Sequence, residues 1–205
     1  MVEIQNITML REQLCLDFIN TVGWHRDGSM SQEYLTTYIA FVQWCQVRNI
    51  INKEQAAFLS EESHNRKNEA DQVLNRVIEL RESLYRILLA VIAKEVPGKQ
   101  DIDLLNSEIA QMLPFSSLVY QHNKFEWKKG EQNKNLDWML SIIIKDIVEL
   151  LISNKLDRLN VCADDNCGWL FLDTSKNKSR RWCSMQDCGN RAKARRHYHN
   201  KKKSK

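Results

Sequence analysis

Hydrophobic positions recur at helical spacing through most of the first 155 residues. In LREQLCLDFINTV (10–22), Leu10, Leu14, Phe18 and Val22 form one stripe with Cys15 and Ile19 beside them, which predicts a helix. The polar, glycine-containing stretch GWHRDGSM follows and reads as a loop. Ser29 with Gln32, or Ser31 nearby, is placed to cap a helix carrying Tyr34, Leu35, Tyr38, Ile39, Phe41, Val42 and Cys45. Asn52 with Gln55 repeats that cap signature before a short helix ending near Leu59. The clearest element spans 69–95. There Leu74, Val77, Ile78, Leu84, Ile87, Leu88 and Val91 share a face, and Arg76, Glu79, Arg81, Glu82 and Arg86 fall largely off it. Pro97-Gly98 stops it, and another short helix is predicted from Asp101 to Met112.

The period then changes. SLVYQHNKFEWKK (117–129) alternates apolar and polar residues around His122-Asn123-Lys124, which predicts a β-hairpin. Helical spacing returns from about Gln132 to Asn154, with Leu136, Met139, Leu140, Ile143, Ile147, Leu150 and Leu151 facing inward. Composition shifts near Leu156, so the chain divides into a helical domain at 1–155 and a smaller unit at 156–205. Trp44, Trp127 and Trp138 are expected in the core. Cys15 and Cys45 lie on apolar faces with no partner at ligand spacing and read as buried small hydrophobes.

Composition adds that long linkers and repeat arrays are disfavoured, because 205 residues hold only two prolines and six glycines. The N-terminal MVEIQNITML lacks the basic-then-apolar profile of a signal peptide. LLAVIA (88–93) and SIIIKDIVELLI (141–152) are too short or too charged to cross a bilayer. A cytoplasmic setting without a membrane partner is expected, and there thiols stay reduced. The net charge of +4 is unevenly spread. Residues 176–205 hold twelve of the 30 Lys/Arg and one of the 26 acids, Asp187, a net +11. Residues 1–175 therefore hold 18 basic and 25 acidic residues, a net −7. An acidic body with a basic end suggests that the end faces a polyanion.

The other four cysteines change the picture most. Cys162 and Cys167 form one C-x4-C pair, Cys183 and Cys188 a second, and fifteen residues separate the pairs. Each pair is followed at once by glycine, in CADDNCG and CSMQDCG. Four thiolates around a tetrahedral zinc come from two tight turns, and a glycine after the second ligand would tolerate a positive φ there. In a reducing compartment, one structural zinc is favoured over disulfides. Four thiolates would close the site and leave no position for a catalytic water, and His197 and His199 are then surface groups. Trp169–Leu172 reads as a strand, Thr174–Ser179 as a polar turn and the residues after it as a second strand. With LDRLNV before Cys162, these outline a small treble-clef or ribbon-like finger. The fold class is thus mainly α, with a small hairpin in the body and a four-cysteine finger after it.

Beyond Cys188, GNRAKARRHYHNKKKSK predicts a basic helix from about Asn190. Arg180, Arg181, Arg191, Lys193, Arg195, Arg196, Lys201 and Lys202 are the candidate nucleic-acid contacts, and Tyr198 could stack on a base. Six cations on phosphates would give a slope of log K against log salt of about −5 on duplex DNA. The competing reading is a zinc-stapled tail that docks on the acidic body, as an intramolecular or dimer contact. In the body, Asp17, Asn20 and Thr21 sit among Leu16, Phe18 and Ile19, with Arg26 nearby. They make either a buried polar network or a pocket for an anionic small-molecule effector. The apolar helices would also make a homodimer natural. No phosphate-binding loop, dinucleotide fingerprint, His-Glu-x-x-His or Gly-x-Ser-x-Gly is present, so an enzyme is not expected.

CADDNCGWLFLDTSKNKSRRWCSMQDCGNRAKARRHY resembles the CGNR zinc finger, whose tetrapeptide stands here as Cys188-Gly189-Asn190-Arg191. LCLDFINT (14–21), with the helical body and Trp44, resembles the ABATE domain that precedes this finger in bacterial transcription regulators. The resemblance implies zinc on Cys162, Cys167, Cys183 and Cys188 and a stress-linked regulatory role on DNA, with RNA or a protein partner as the alternatives.

Overall fold

The computed structural model describes residues 13–25, 29–112, 116–129 and 135–203. Leu10 and Arg26 lie outside them. Helix α1 (Leu14–Ile19) is shorter than its hydrophobic stripe predicts. It stops because the next two side chains are committed elsewhere. Thr21 Oγ1 donates to the Phe18 carbonyl at 2.6 Å, and Asn20 pairs with Leu170 far along the chain. Val22 therefore begins a strand. β1 (Val22–Trp24) pairs antiparallel with β2 (Met30–Glu33), so the expected polar loop is a second hairpin. Its signal is the alternation of buried Val22 and Trp24 about Gly23. Ser29 and Ser31 belong to this hairpin and do not stand at the start of a helix. Thr37 instead caps α2 (Tyr38–Val47), accepting from the Ala40 amide.

The Asn52–Gln55 capping box is present at the head of α3 (Lys53–Asn65), which runs beyond Leu59 to Asn65. α4 (Lys67–Ala93) ends where Lys94 enters the left-handed region at φ 59, before Pro97 is reached. α5 (Lys99–Met112) follows. The hairpin of β3 (Ser116–Gln121) and β4 (Lys124–Lys129) turns through His122 and Asn123, both at positive φ, as a two-residue turn between twisted strands requires. α6 (Leu140–Leu151) starts later than expected, after a run of turns that already buries Leu136, Trp138 and Met139. The side chain of Trp127 lies outside the described residues.

α4 is the long axis of the body, with α1, α2, α3 and α5 packed along it and α6 against α1 and α5. Trp44 fills the centre beside Phe18 and Phe41. Asp146 of α6 accepts from the Cys15 amide at 2.7 Å, satisfying a donor at the first turn of α1. Cys15 and Cys45 are fully buried, and burial pushes both thiols well above their ordinary range, which makes them unreactive.

One arginine departs from the helical pattern. Arg81, expected off the core face of α4, is completely buried. Its guanidinium grips Glu33 of β2 with two bonds of 2.7 and 2.5 Å and reaches the Thr21 carbonyl at 3.3 Å. The unpredicted hairpin supplies the carboxylate that makes this burial tolerable.

The chain leaves α6 through a 3-10 turn (Asn154–Arg158) into β5 (Leu159–Val161), which pairs antiparallel with β6 (Leu170–Leu172). The alternation of β6 joins two interiors. Leu170 and Leu172 enter the body's core with Leu159, whereas Phe171 faces the four cysteines. The second finger strand expected after Ser179 is not formed. Asp173 is buried and holds the turn by accepting from the Ser175 and Arg180 amides. The Arg180 side chain takes up the Leu172, Trp182 and Cys183 carbonyls that a ladder would otherwise use. A π-turn (Met185–Gly189) then leads into α7 (Asn190–Lys203). With the first cysteine pair inside a hairpin and the second at the head of a helix, the finger has the treble-clef order. Among the described residues no helix is long and apolar enough to cross a membrane.

Candidate metal centre and nucleic-acid interface

The sulfurs of Cys162, Cys167, Cys183 and Cys188 lie within 4.8 Å of one another, all buried and none in a disulfide. Cys167 to Cys183 is 3.7 Å and Cys183 to Cys188 is 3.6 Å. Four sulfurs at about 2.3 Å from a tetrahedral zinc would stand about 3.8 Å apart, so the donor set and its spacing fit such an ion. The thiols press on one another electrically. Bonds from Cys167, Cys183 and Cys188 pull the Cys162 thiol far below its ordinary value, and bonds with Cys162 first of all push Cys183 far above it. Four packed thiols cannot ionise together without a cation among them, which is the condition a bound metal ion relieves. Backbone geometry supports the sulfurs too. The Cys183 amide points at Cys162 Sγ at 3.5 Å, and the Ala163 amide donates to the Arg181 carbonyl at 2.8 Å, so the two loops are tied by more than a metal.

The glycines behind each pair serve space, and neither has a positive φ. A Cβ on Gly168 would collide with the backbone carbonyl of His25 and come within 2.8 Å of the Tyr85 hydroxyl. That crowding marks the seat of the finger on the body. The Gly168 amide donates to the Trp24 carbonyl at 2.8 Å, and Tyr85 Oη donates to the Gly168 carbonyl at 2.9 Å. Trp24 and Tyr85 stack at 3.9 Å beneath it, and Trp169 Nε1 donates to the Val22 carbonyl. Gly189 faces only the flexible thioether of Met185, whose sulfur a Cβ would meet at 2.5 Å. Gly168→Ala is therefore expected to cost about 3 kcal/mol, at the top of the range for overpacking against fixed backbone. Gly189→Ala should cost under about 1 kcal/mol, because half-exposed Met185 can swing aside. Urea unfolding of the two variants measures both, and equal losses would contradict the seat.

The eight cations assigned from the sequence divide into two groups. Arg180 is spent on the carbonyls named above and stacks over Phe171 at 4.7 Å. Arg191 Nε donates to Asp164 at 2.9 Å and its Nη2 to Cys188 Sγ at 2.9 Å, and Arg195 Nη2 donates to Asp164 at 2.5 Å. These three arginines, expected to face nucleic acid, are engaged inside the finger. Asp164 is the residue that sequence reasoning misses. It is fully buried between Cys162 and Cys167, and its signal is an acid in the first loop opposite arginines at i and i+4 of the helix.

At about 3.6 residues per turn, Lys193, Arg196 and His197 fall on the face of α7 opposite Arg191 and Arg195. All three are exposed, and Lys193 and Arg196 form no ion pair among the described residues. Lys201 is exposed at the edge of that face, and Tyr198 lies on the Arg191 side. Arg181 is exposed over the Trp182 ring at 5.5 Å. The side chain of Lys202 lies outside the described residues. Apart from the π-turn that leads into it, α7 makes no extensive contact with another element among the described residues.

The described residues assigned to an effector pocket, Asp17, Asn20 and Thr21, each make internal contacts. Asp17 pairs with Arg48 at 2.9 Å, with both side chains nearly buried, and so fixes α1 to the end of α2. Thr21 serves Phe18 and Arg81, and Asn20 serves Leu170. The Asn20 amide pairs with the Leu170 backbone in both directions, at 2.9 and 3.1 Å, acting as a strand partner for the finger. Arg26 lies outside the described residues. Each described member has a different internal partner, an arrangement of the kind a buried polar network makes.

A helical body carrying a buried four-cysteine cluster at the head of a basic helix has the architecture of a helical domain followed by a zinc-finger-like module. Comparison with known families agrees. Residues 12–154 match the ABATE family, described as "Putative stress-induced transcription regulator", and residues 158–201 match the CGNR zinc finger. The chain belongs to the ABATE family, with a CGNR finger at its C-terminal end. The ABATE description is that of a regulator, and neither family description names a catalytic activity. No curated protein gives a significant match.

Proposed function

We propose that this protein is a transcription regulator that binds nucleic acid, DNA in preference to RNA, through the outward face of α7. One structural zinc on Cys162, Cys167, Cys183 and Cys188 would hold that helix. The contacts are Lys193, Arg196 and Lys201 on the helix and Arg181 beside it, with Lys202 continuing the basic run. The observation that carries this reading is the division of α7 itself: one face is satisfied inside the finger, and the opposite face presents cations with no ion-pair partner among the described residues. Cations left unpaired on a face so firmly fixed suit phosphate contact. The body would act as the regulatory and dimerising part in the cytoplasm.

With Arg180, Arg191 and Arg195 bonded within the finger, about four cations remain for phosphate, and the slope of log K against log salt on duplex DNA falls to about −3 to −4. Titrating a labelled random duplex and a single-stranded RNA across a salt series measures it. Lys193→Gln and Arg196→Gln should each flatten the slope by about 0.9. Binding that ignores salt, or survives both changes, would favour a protein-docking adaptor. Selection from a random duplex pool then asks whether one sequence is enriched.

A further inference from the structure

We infer that Arg191 and Arg195, with Asp164, form a clamp that belongs to the metal centre: they position its thiolates and aim the helix. This rests on the metal reading above but is independent of what the outward face grips.

The clamp begins with charge. Four thiolates around a divalent ion carry a net charge of about −2, in a site where all four sulfurs are buried. Such a site needs compensating donors in the layer behind the ligands. Arg191 supplies one directly, through its Nη2 at 2.9 Å from Cys188 Sγ. Its Nε simultaneously reaches Asp164, which sits on the other cysteine loop. One guanidinium therefore bridges the second pair to the first.

Asp164 makes the bridge rigid. It is completely buried, and it accepts from Arg191, from Arg195 and from the Asn166 amide at 3.2 Å. A buried carboxylate without these partners would carry a heavy desolvation cost, so the three groups form one unit. Arg195 follows Arg191 by one helical turn, and the two bonds to a single carboxylate set the rotation of α7 about its axis. That rotation is what turns Lys193 and Arg196 outward. Among the described residues α7 has no other extensive contact beyond its leading turn, which leaves the clamp to set its direction. The arginine of the CGNR tetrapeptide is thus a positioning residue of the centre.

Cobalt(II) and zinc titrations of the purified full chain test this. Wild type should give the intense thiolate-to-cobalt absorption of a four-sulfur site, and its absence would overturn the metal reading itself. In Arg191→Met, zinc affinity measured against a competing chelator should fall about 10–100-fold. The thiolate-to-cobalt band should also shift, since Cys188 loses a donor. Arg191→Lys should recover part of the affinity, and Lys193→Gln with Arg196→Gln should leave both readouts at wild type. Should Arg191→Met fail to fold, the milder Arg195→Gln and Asp164→Asn, alone and combined, replace it. Their effects on zinc affinity should be far from additive, because each removes the same clamp. Wild-type affinity and an unshifted band in Arg191→Met, or additive losses in that pair, would overturn the clamp.

Discussion

Glu33→Ala is expected to destabilise the protein by about 3 kcal/mol, although Glu33 sits on a short strand near the surface. Its carboxylate is the counter-charge of Arg81, whose side chain has no exposure at all. Removing one partner of a buried pair leaves an uncompensated charge and typically costs about 3–5 kcal/mol. The low end applies because the Glu33 side chain keeps 30% of its exposure, so water can reach part of the vacated site. The Leu35 amide, which donates to Glu33 Oε1 at 2.7 Å, loses its acceptor in the same step. Urea unfolding should show the midpoint falling by about 1–2 M with an unchanged slope. The double variant Arg81→Met, Glu33→Leu should recover most of the loss, because it removes both charges together. A loss below about 1 kcal/mol in Glu33→Ala would mean that solvent, and not Glu33, satisfies Arg81.

Stripping the metal should have the larger effect, and it should reach beyond the finger. Structural zinc contributes about 10–16 kcal/mol in small fingers, comparable with the whole stability of a domain. Without it, the Cys183–Cys162 and Ala163–Arg181 bonds and the Arg191–Asp164 bridge are left to join the two cysteine loops, and the base of α7 is weakened. The seam then comes under load. β5 and β6 place Leu159, Leu170 and Leu172 in the body's own core, and the Asn20 side chain makes both of its bonds to Leu170. Thermal unfolding with and without a strong chelator, followed by circular dichroism, should show lost helix content and a lower Tm for the body as well. A body transition that stays at the same temperature would mean that the halves are independent, and the shared core would be energetically unimportant.

Much of this molecule is legible in the chain. Helical spacing finds α2 to α6, the Asn52–Gln55 box is formed as read, and the β3–β4 turn falls at His122-Asn123. The cysteine spacing locates the cluster because metal ligands are specified by chemistry and distance along the chain. Three features escape it, each for a physical reason. The β1–β2 hairpin is too short to give a periodic signal, and its register is fixed by tertiary partners. A helical wheel assigns Arg81 to solvent because it cannot know that a carboxylate arrives from another element. The basic residues after Cys188 read as one group, since charge alone does not say which cations have an internal partner. Asp164 decides that, and it lies 27 residues before Arg191. The glycines show the same limit. Their position after each pair is informative, but the role of Gly168 depends on His25 and Tyr85, which spacing does not reveal.

The seat at Gly168 also bears on how such a protein can be inherited. The finger's first loop fits only where Trp24 and Tyr85 offer their carbonyl and hydroxyl, and where His25 leaves no room for a side chain. A finger transplanted by recombination onto a body lacking that surface would arrive without a socket. A body deprived of its finger would expose the apolar notch that Leu159, Leu170 and Leu172 fill. The two halves therefore share one interface, and a change in either one constrains which changes the other can accept.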